Sequence, residues 1–407
     1  MSDQKTGGSA GIGALIKNNI RNYSMFIILI LIMIVFGFLT RWINFSSRNI
    51  SYIFIQYSYV LILAAGMVQI IIVQGIDLSV GSVCAFVGAI SAMLYNTGMG
   101  MPLTLLLALA MGLAIGAFQG LWVAYANIPA FIVTLAGMLL FRGLTYIITK
   151  VNPIALKDDG YKQLASGMLN IPGLEIHNVS ILGRQTDAVY LTAILAGILV
   201  IALFVISEIV SRRNKIKNNF EVTPPLLFAG KIVIISLLIL FLCERFATYR
   251  GLPAVVVVLA ITVLVFHFIL KNTVLGRYIY AVGGNSRSAK LSGINSELVV
   301  FIVFCIMGFL TGLAAVVSTG YMNSALPQAG NLFEMDAIAA CYIGGVSASG
   351  GIGSVAGVIV GGLVMSAINN GMSLMNLGQH YQYVVKALIL LLAVLYDVYT
   401  RRKAGLG

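Results

Sequence analysis

From Ser24 to Tyr399 the chain is a succession of apolar runs with no water-soluble block between them. This pattern constrains the fold more than any other feature, because about 20 apolar residues are what a helix needs to cross the hydrocarbon core of a bilayer. Residues 24–40, 51–73, 79–96, 102–124, 130–149, 188–210, 229–247, 252–270, 298–319, 351–371 and 380–398 meet that length, and a run at 336–348 falls short of it. In lipid every backbone N–H and C=O must find a partner inside the protein, so runs of this kind are read as helices. The expected fold is all-α: a polytopic membrane helix bundle of about twelve crossings, two of them adjoining glycine-rich breaks. Residues 1–407 are read as a single transmembrane domain.

Composition excludes the soluble alternative, since 59% of residues are hydrophobic and 9% charged, too little polar surface for folding in water. The net charge of +12 falls in short clusters between apolar runs. There it sets topology, and no nucleic-acid partner is expected. The segment 1–23, the cluster Arg212, Arg213, Lys215 and Lys217, the segment 271–297 with Lys271, Arg277, Arg287 and Lys290, and the tail Arg401, Arg402 and Lys403 are all expected to be cytoplasmic. Segments 150–187 and 320–335 then lie outside, and the tail returns inside only if 336–348 also crosses as a short or broken helix. Arg41 and Trp42 stand where a signal peptide would carry small residues for cleavage, so the first run is expected to remain as a span. Cys84, Cys243, Cys305 and Cys341 lie in or beside apolar runs without metal-ligand spacing, and are read as packing residues rather than as disulfides or a metal site.

Two places break the helical pattern. The first, Gln74-Gly75-Ile76-Asp77-Leu78-Ser79-Val80-Gly81-Ser82, puts a carboxylate in strongly apolar surroundings. Asp77 reads either as an N-cap for the third span, because a side-chain oxygen satisfies free N–H groups at a helix start, or as a direct contact to substrate hydroxyls. The second runs from Gly344 to Gly357 and lacks the Lys-Ser/Thr ending of a phosphate-binding loop. Both share Gly-Ser-Val, at 81–83 and 353–355, which suggests an internal duplication of undecided orientation. Glycines four apart, at 112, 116 and 120, at 308 and 312, and at 353, 357 and 361, are stripes that let membrane helices pack closely.

The segment Val274–Ile294 is more structured than a linker requires: small residues, Asn285 and the pair Ala289 and Leu291 make a compact turn and a short amphipathic piece. Together with Gly75–Ser82, Phe131–Met138, Asp336–Cys341 and Asn370–Ser373, it resembles the ribose/xylose branch of ABC importer permeases, from about residue 20 to the C-terminus. The extra apolar runs at 188–210 and 229–247 resemble the longer xylose and multiple-monosaccharide permeases. That resemblance implies a bacterial cytoplasmic (inner) membrane protein with both termini inside, a homodimer of permeases, a cytoplasmic ABC ATPase and an extracytoplasmic sugar-binding protein that delivers a pentose or hexose. The chain is then a transport subunit rather than an enzyme. The coupling loop carries over onto Gly276, Arg277, Gly283, Gly284, Asn285, Ala289, Leu291, Ser292 and Gly293, and the broken-helix motif near the translocation path onto Asp77, Ser79, Gly81 and Ser82.

The chain contains no G-x-x-x-x-G-K-[ST], so no cofactor is expected in it and ATP belongs to the partner subunit. Two other readings compete. One is a nucleoside or branched-chain amino acid permease of the same superfamily. The other is an ion-coupled secondary transporter, for which the spans offer few buried charges beyond Asp77 and Lys386.

Overall fold

A computed structural model describes residues 12–181, 184–220, 222 and 224–403. The helices are α1 (Ile12–Leu39), α2 (Ser47–Ile72), α3 (Val80–Asn96), α4 (Met101–Ala124), α5 (Ala130–Thr149), α6 (Gln163–Ser166), α7 (Leu191–Lys217), α8 (Pro225–Ala247), α9 (Ala254–Asn272), α10 (Val274–Gly284), α11 (Ser286–Leu291), α12 (Ser296–Met322), α13 (Phe333–Ile343), α14 (Val355–Leu374) and α15 (Gln379–Lys403). The short strands are β1 (Ile154–Ala155), β2 (Met168–Leu169), β3 (Glu175–Ile181), β4 (Arg184–Tyr190), β5 (Leu252–Pro253) and β6 (Ser324–Ala325). Among the described residues, eight helices are long and apolar enough to cross a membrane, and Met25–Leu39, Val80–Asn96 and Gln379–Leu395 are shorter apolar helices. Every apolar run in the sequence contains a helix, though 344–348 and 351–354 are irregular, and the chain is a polytopic helical membrane bundle. The basic cluster 212–217 is not a loop, as the run boundaries implied, but the last turns of α7, where cations suit the negative end of the helix dipole.

Contacts between connecting segments sort the helix ends onto two faces. On the strand face β1 pairs antiparallel with β6 and β2 with β5, while the Asn49 and Asn370 side chains exchange amide hydrogen bonds of 2.9 Å in each direction. The segment after α5 is therefore built into the bundle rather than trailing from it, and the Tyr161 hydroxyl is buried against Ser91 at 2.6 Å. On the opposite face, the α10 face, the Gly351 amide donates to the Ile72 carbonyl at 2.9 Å and the Tyr280 hydroxyl to the Gly353 carbonyl at 2.7 Å.

The axis of the bundle is α2, in which every residue from Tyr57 to Ile72 is buried. Only 11% and 6% of the apolar stretches of α7 and α8 are buried, against 94% for α2, so the α7–α8 hairpin lies at the periphery with its apolar surface turned to lipid. Helices α4 and α12 are drawn together by the predicted glycine stripes: a Cβ on Gly112 or Gly116 would collide with the carbonyls of Gly308 or Phe304, and one on Gly361 with that of Ala340. Backbones approach this closely only where both sides lack side chains.

The order of the helices carries an inverted repeat. α2 runs from the strand face to the α10 face, and after residues 73–79 leave helical geometry α3 returns to the strand face. α12 runs the opposite way, residues 323–332 turn back inward, and α13 continues to the α10 face. α4 and α5 are matched in the same reversed sense by α14 and α15. The partner of the first break is therefore 323–332 rather than 344–357. The latter connects α13 to α14 on the α10 face, and the shared Gly-Ser-Val falls on helices that are not equivalents. α13 has 11 residues, about 16 Å of helix against about 30 Å of hydrocarbon. The run at 336–348 thus crosses only together with the irregular leg before it.

Candidate functional site

The first break is held by its own side chains and by side chains from two helices, as backbone leaving a helix inside lipid requires. Asp77 is buried, and its Oδ1 accepts from the Ser79 amide at 2.8 Å and from the Ser79 hydroxyl at 2.7 Å. The cap position of α3 is therefore Ser79, and Asp77 acts two residues ahead of it by closing a side-chain turn on the chain that enters the helix. From α4, the Gln119 amide donates to Ser79 Oγ at 2.8 Å. From α5, the Thr134 hydroxyl shares its hydrogen between the Ala130 carbonyl of its own helix at 2.9 Å and the Ile76 carbonyl at 3.1 Å. Gly81 and Ser82 occupy the first turn of α3, where the Ser82 hydroxyl is buried and makes no hydrogen bond.

The second break meets the first at the centre of the molecule. Gly330 lies against Gly81, and the Glu334 carboxylate stands where a Cβ on Gly81 would point. Phe333 packs on Tyr59, halfway along α2, with ring centroids 4.4 Å apart. Glu334 and Asp336 lie in the first turn of α13, where negative charge suits the helix dipole. The Arg142 guanidinium on α5 donates to the carbonyls of Pro327 at 3.2 Å and Ala329 at 2.6 Å, satisfying the irregular leg as Thr134 and Gln119 satisfy the first. Asp336 pairs with Lys386 on α15 at 2.9 Å. Asp77 and Lys386 are thus joined in the interior by Glu334 and Asp336, buried charges that the run boundaries had put in or beside a loop. A lone Arg within the run 130–149 and a lone Gln within 102–124 were the available signals for Arg142 and Gln119.

The loop on the α10 face is two short helices. Thr273 caps α10 by accepting from the Gly276 amide at 3.2 Å, and Asn285 caps α11 by accepting from the Ser288 amide at 2.9 Å. Gly276, Ile279, Val282, Gly283 and Ala289 face the bundle, and Gly283 is glycine because a Cβ there would strike the Ile72 carbonyl. Gly293 ends the loop at φ +84°, a conformation glycine adopts freely. Arg277, Gly284, Asn285, Leu291 and Ser292 face outward. Leu291 is 91% exposed, a large apolar side chain beside Lys290, whose ammonium pairs with Glu297 at 2.5 Å.

The predicted site residues fall into two separate groups. Asp77, Ser79, Gly81 and Ser82 are sealed inside, and the loop residues line the α10 face. Among the described residues no cluster of His, Cys, Asp and Glu could hold a metal ion.

Two stretches, residues 49–182 and 175–394, match the family described as branched-chain amino acid transport system / permease component. The chain is similar to the xylose transport system permease protein XylH of Escherichia coli (strain K12), 36% identical over 400 residues, which are 98% of this chain and 96% of that one. It is 38% identical to XylH of Haemophilus influenzae over 389 residues, 95% of this chain and 98% of that one. The ribose import permease protein RbsC of Escherichia coli (strain K12) is 33% identical over 353 residues, 87% and 86% of the two chains. No solved structure matches.

Proposed function

The chain belongs to the ABC-importer permease family described as branched-chain amino acid transport system / permease component, on its xylose/ribose branch, and from that premise we propose that it carries xylose or a related pentose or hexose across the bacterial inner membrane. It is the multi-pass transport subunit of an ABC sugar importer, working with an ATPase and a binding protein supplied by other chains. The observation that supports a sugar over an amino acid is near full-length identity of 36–38% to two xylose permeases.

In this reading the α10 face is cytoplasmic, which places the clusters 212–217 and 271–290 and both termini inside. The strand face, with its ordered β1, β2, β5 and β6 pairings, meets the binding protein. Two copies pair, each offering its α10–α11 loop to one ATPase subunit, and ATP stays in that subunit. Leu291, exposed at the tip of the loop, is the anchor of the docking surface. The helix breaks around Asp77 and Glu334 line the path. They are closed in this conformation, and a shift of the two inverted halves against each other would open them to one face at a time. Sugar hydroxyls released from the binding protein would meet Ser82, Glu334 and their neighbours weakly, so that release is not slowed.

The test is reconstitution in liposomes with its ATPase and binding protein. Uptake of radiolabelled xylose that stops on ATP depletion and survives a protonophore supports the reading. Uptake abolished by the protonophore alone would favour ion coupling. Thermal-shift screening of the binding protein against monosaccharides, nucleosides and branched-chain amino acids identifies the substrate class.

A further inference from the structure

We propose that Gln74 is the positioning residue that transmits movement of the α10–α11 loop to the helix break, a relay that rests on the importer reading above. Its Nε2 lies 2.9 Å from the Gly283 carbonyl on α10 and 2.9 Å from the Ser349 carbonyl in the α13–α14 connection. Both partners only accept, so the amide nitrogen faces them and divides its two hydrogens between them. One side chain thus ties together three segments far apart in sequence: the end of α2, the loop helix and the connection after the second half-helix.

The junction has no slack. The Gly351 amide donates to the Ile72 carbonyl at 2.9 Å, and a Cβ on Gly283 would strike that same carbonyl. A Cβ on Gly350 would lie 2.5 Å from Gln74 Cγ and 2.8 Å from the carbonyls of Gly283 and Ile72. Close-packed backbone of this kind moves as a unit rather than yielding locally. Gln74 itself has φ +65°, a conformation uncommon outside glycine and retained only where surroundings enforce it. Three residues on stands Asp77, with Ile76 between them pinned by Thr134. Displacement of α10 therefore pulls on the chain that enters α3, at the first break, and through Ser349 on the far end of α13, the half-helix that begins at the second. The Gln74 side chain is exposed, so removing its amide leaves the apolar core intact.

The experiment reconstitutes the permease with its ATPase and binding protein and measures xylose moved per ATP hydrolysed. Gln74→Met keeps the length of the side chain and removes both donors, while Gln74→Asn keeps an amide that reaches one carbonyl. Gln74→Met is expected to retain the ATPase on purification and hydrolyse ATP at the wild-type basal rate. Its sugar-per-ATP ratio should fall about ten-fold, the scale of a typical coupling between sites, with Gln74→Asn in between. A wild-type ratio in Gln74→Met overturns the relay. So does loss of ATPase retention in proportion to transport, which would make Gln74 part of the docking surface. A wild-type protein that neither retains an ATPase nor moves xylose with ATP defeats the importer reading instead. Should Gln74→Met not fold, an unchanged ratio in Gln74→Asn overturns the relay and a reduced one supports it.

Discussion

Gly81 and Gly330 meet backbone to backbone, and a Cβ on either would collide with the carbonyl oxygen of the other. The start of α3 and the leg leading into α13 can approach this closely only because both positions lack side chains, which makes this the contact where the two breaks meet. Gly81→Ala should cost about 1–3 kcal/mol, the usual range for overpacking, and Gly330→Ala more, because its φ of +73° adds backbone strain. Gly143, on an open part of α5 with nothing within 4 Å of its added Cβ, should accept Ala neutrally or gain up to about 1 kcal/mol. Thermal unfolding in detergent, followed by size-exclusion fluorescence, ranks the three. Equal behaviour of Gly81→Ala and Gly143→Ala would refute the contact.

Asp77 holds the first break through two hydrogen bonds to Ser79 made by one oxygen. Asp77→Asn keeps an acceptor in that position, whereas Asp77→Leu removes it and leaves the Ser79 amide buried without a partner. The Leu variant should lose about 1–3 kcal/mol of stability and most transport, and the Asn variant should remain close to wild type in both. If both variants keep wild-type melting temperatures and both lose transport, the carboxylate charge acts on substrate rather than on the backbone.

The helices were legible because apolar length is a one-dimensional property: a run that satisfies the bilayer is a helix wherever it packs. The loop on the α10 face was equally readable, since Thr273, Asn285 and Gly293 are local capping and turn signals that act within a few residues. The pairing of the breaks was not. Residues 326–330, Leu-Pro-Gln-Ala-Gly, have the composition of a surface turn, and only the Arg142 guanidinium, 185 positions away, reveals that their carbonyls are inside. Glu334 was hidden for the same reason, because its depth depends on the leg that precedes it. Gly-Ser-Val misled because glycine and serine open helices for unrelated reasons, close packing at Gly81 and capping at Ser354, whose hydroxyl accepts from the Gly357 amide.

Lys386 and Asp336 form an ion pair deep in the bundle, 20% and 10% exposed. Lys386→Met strands a buried carboxylate and should destabilise the protein by about 3–5 kcal/mol, while the double replacement Lys386→Met/Asp336→Leu should recover most of the loss, since neither charge then needs a partner. A double-mutant cycle on melting temperature measures the coupling. Additive losses would show that the two residues do not depend on each other.

Leu291 stands at the tip of the α10–α11 loop with its side chain in solvent, so it contributes almost nothing to the fold. Leu291→Asp should accordingly leave the melting temperature within about 0.5 kcal/mol of wild type, as surface substitutions do. At an interface the same change puts a charge where an apolar anchor was buried, and truncation of such an anchor costs about 2 kcal/mol or more. The expected outcome is a folded, membrane-inserted permease that no longer retains its ATPase on purification and no longer imports sugar. Retention of the ATPase at wild-type stoichiometry by Leu291→Asp would move the docking surface away from α11. It would then fall to the basic last turns of α7, where the Arg212 guanidinium lies 4.5 Å from the Phe228 ring and presents the other structured surface on the α10 face.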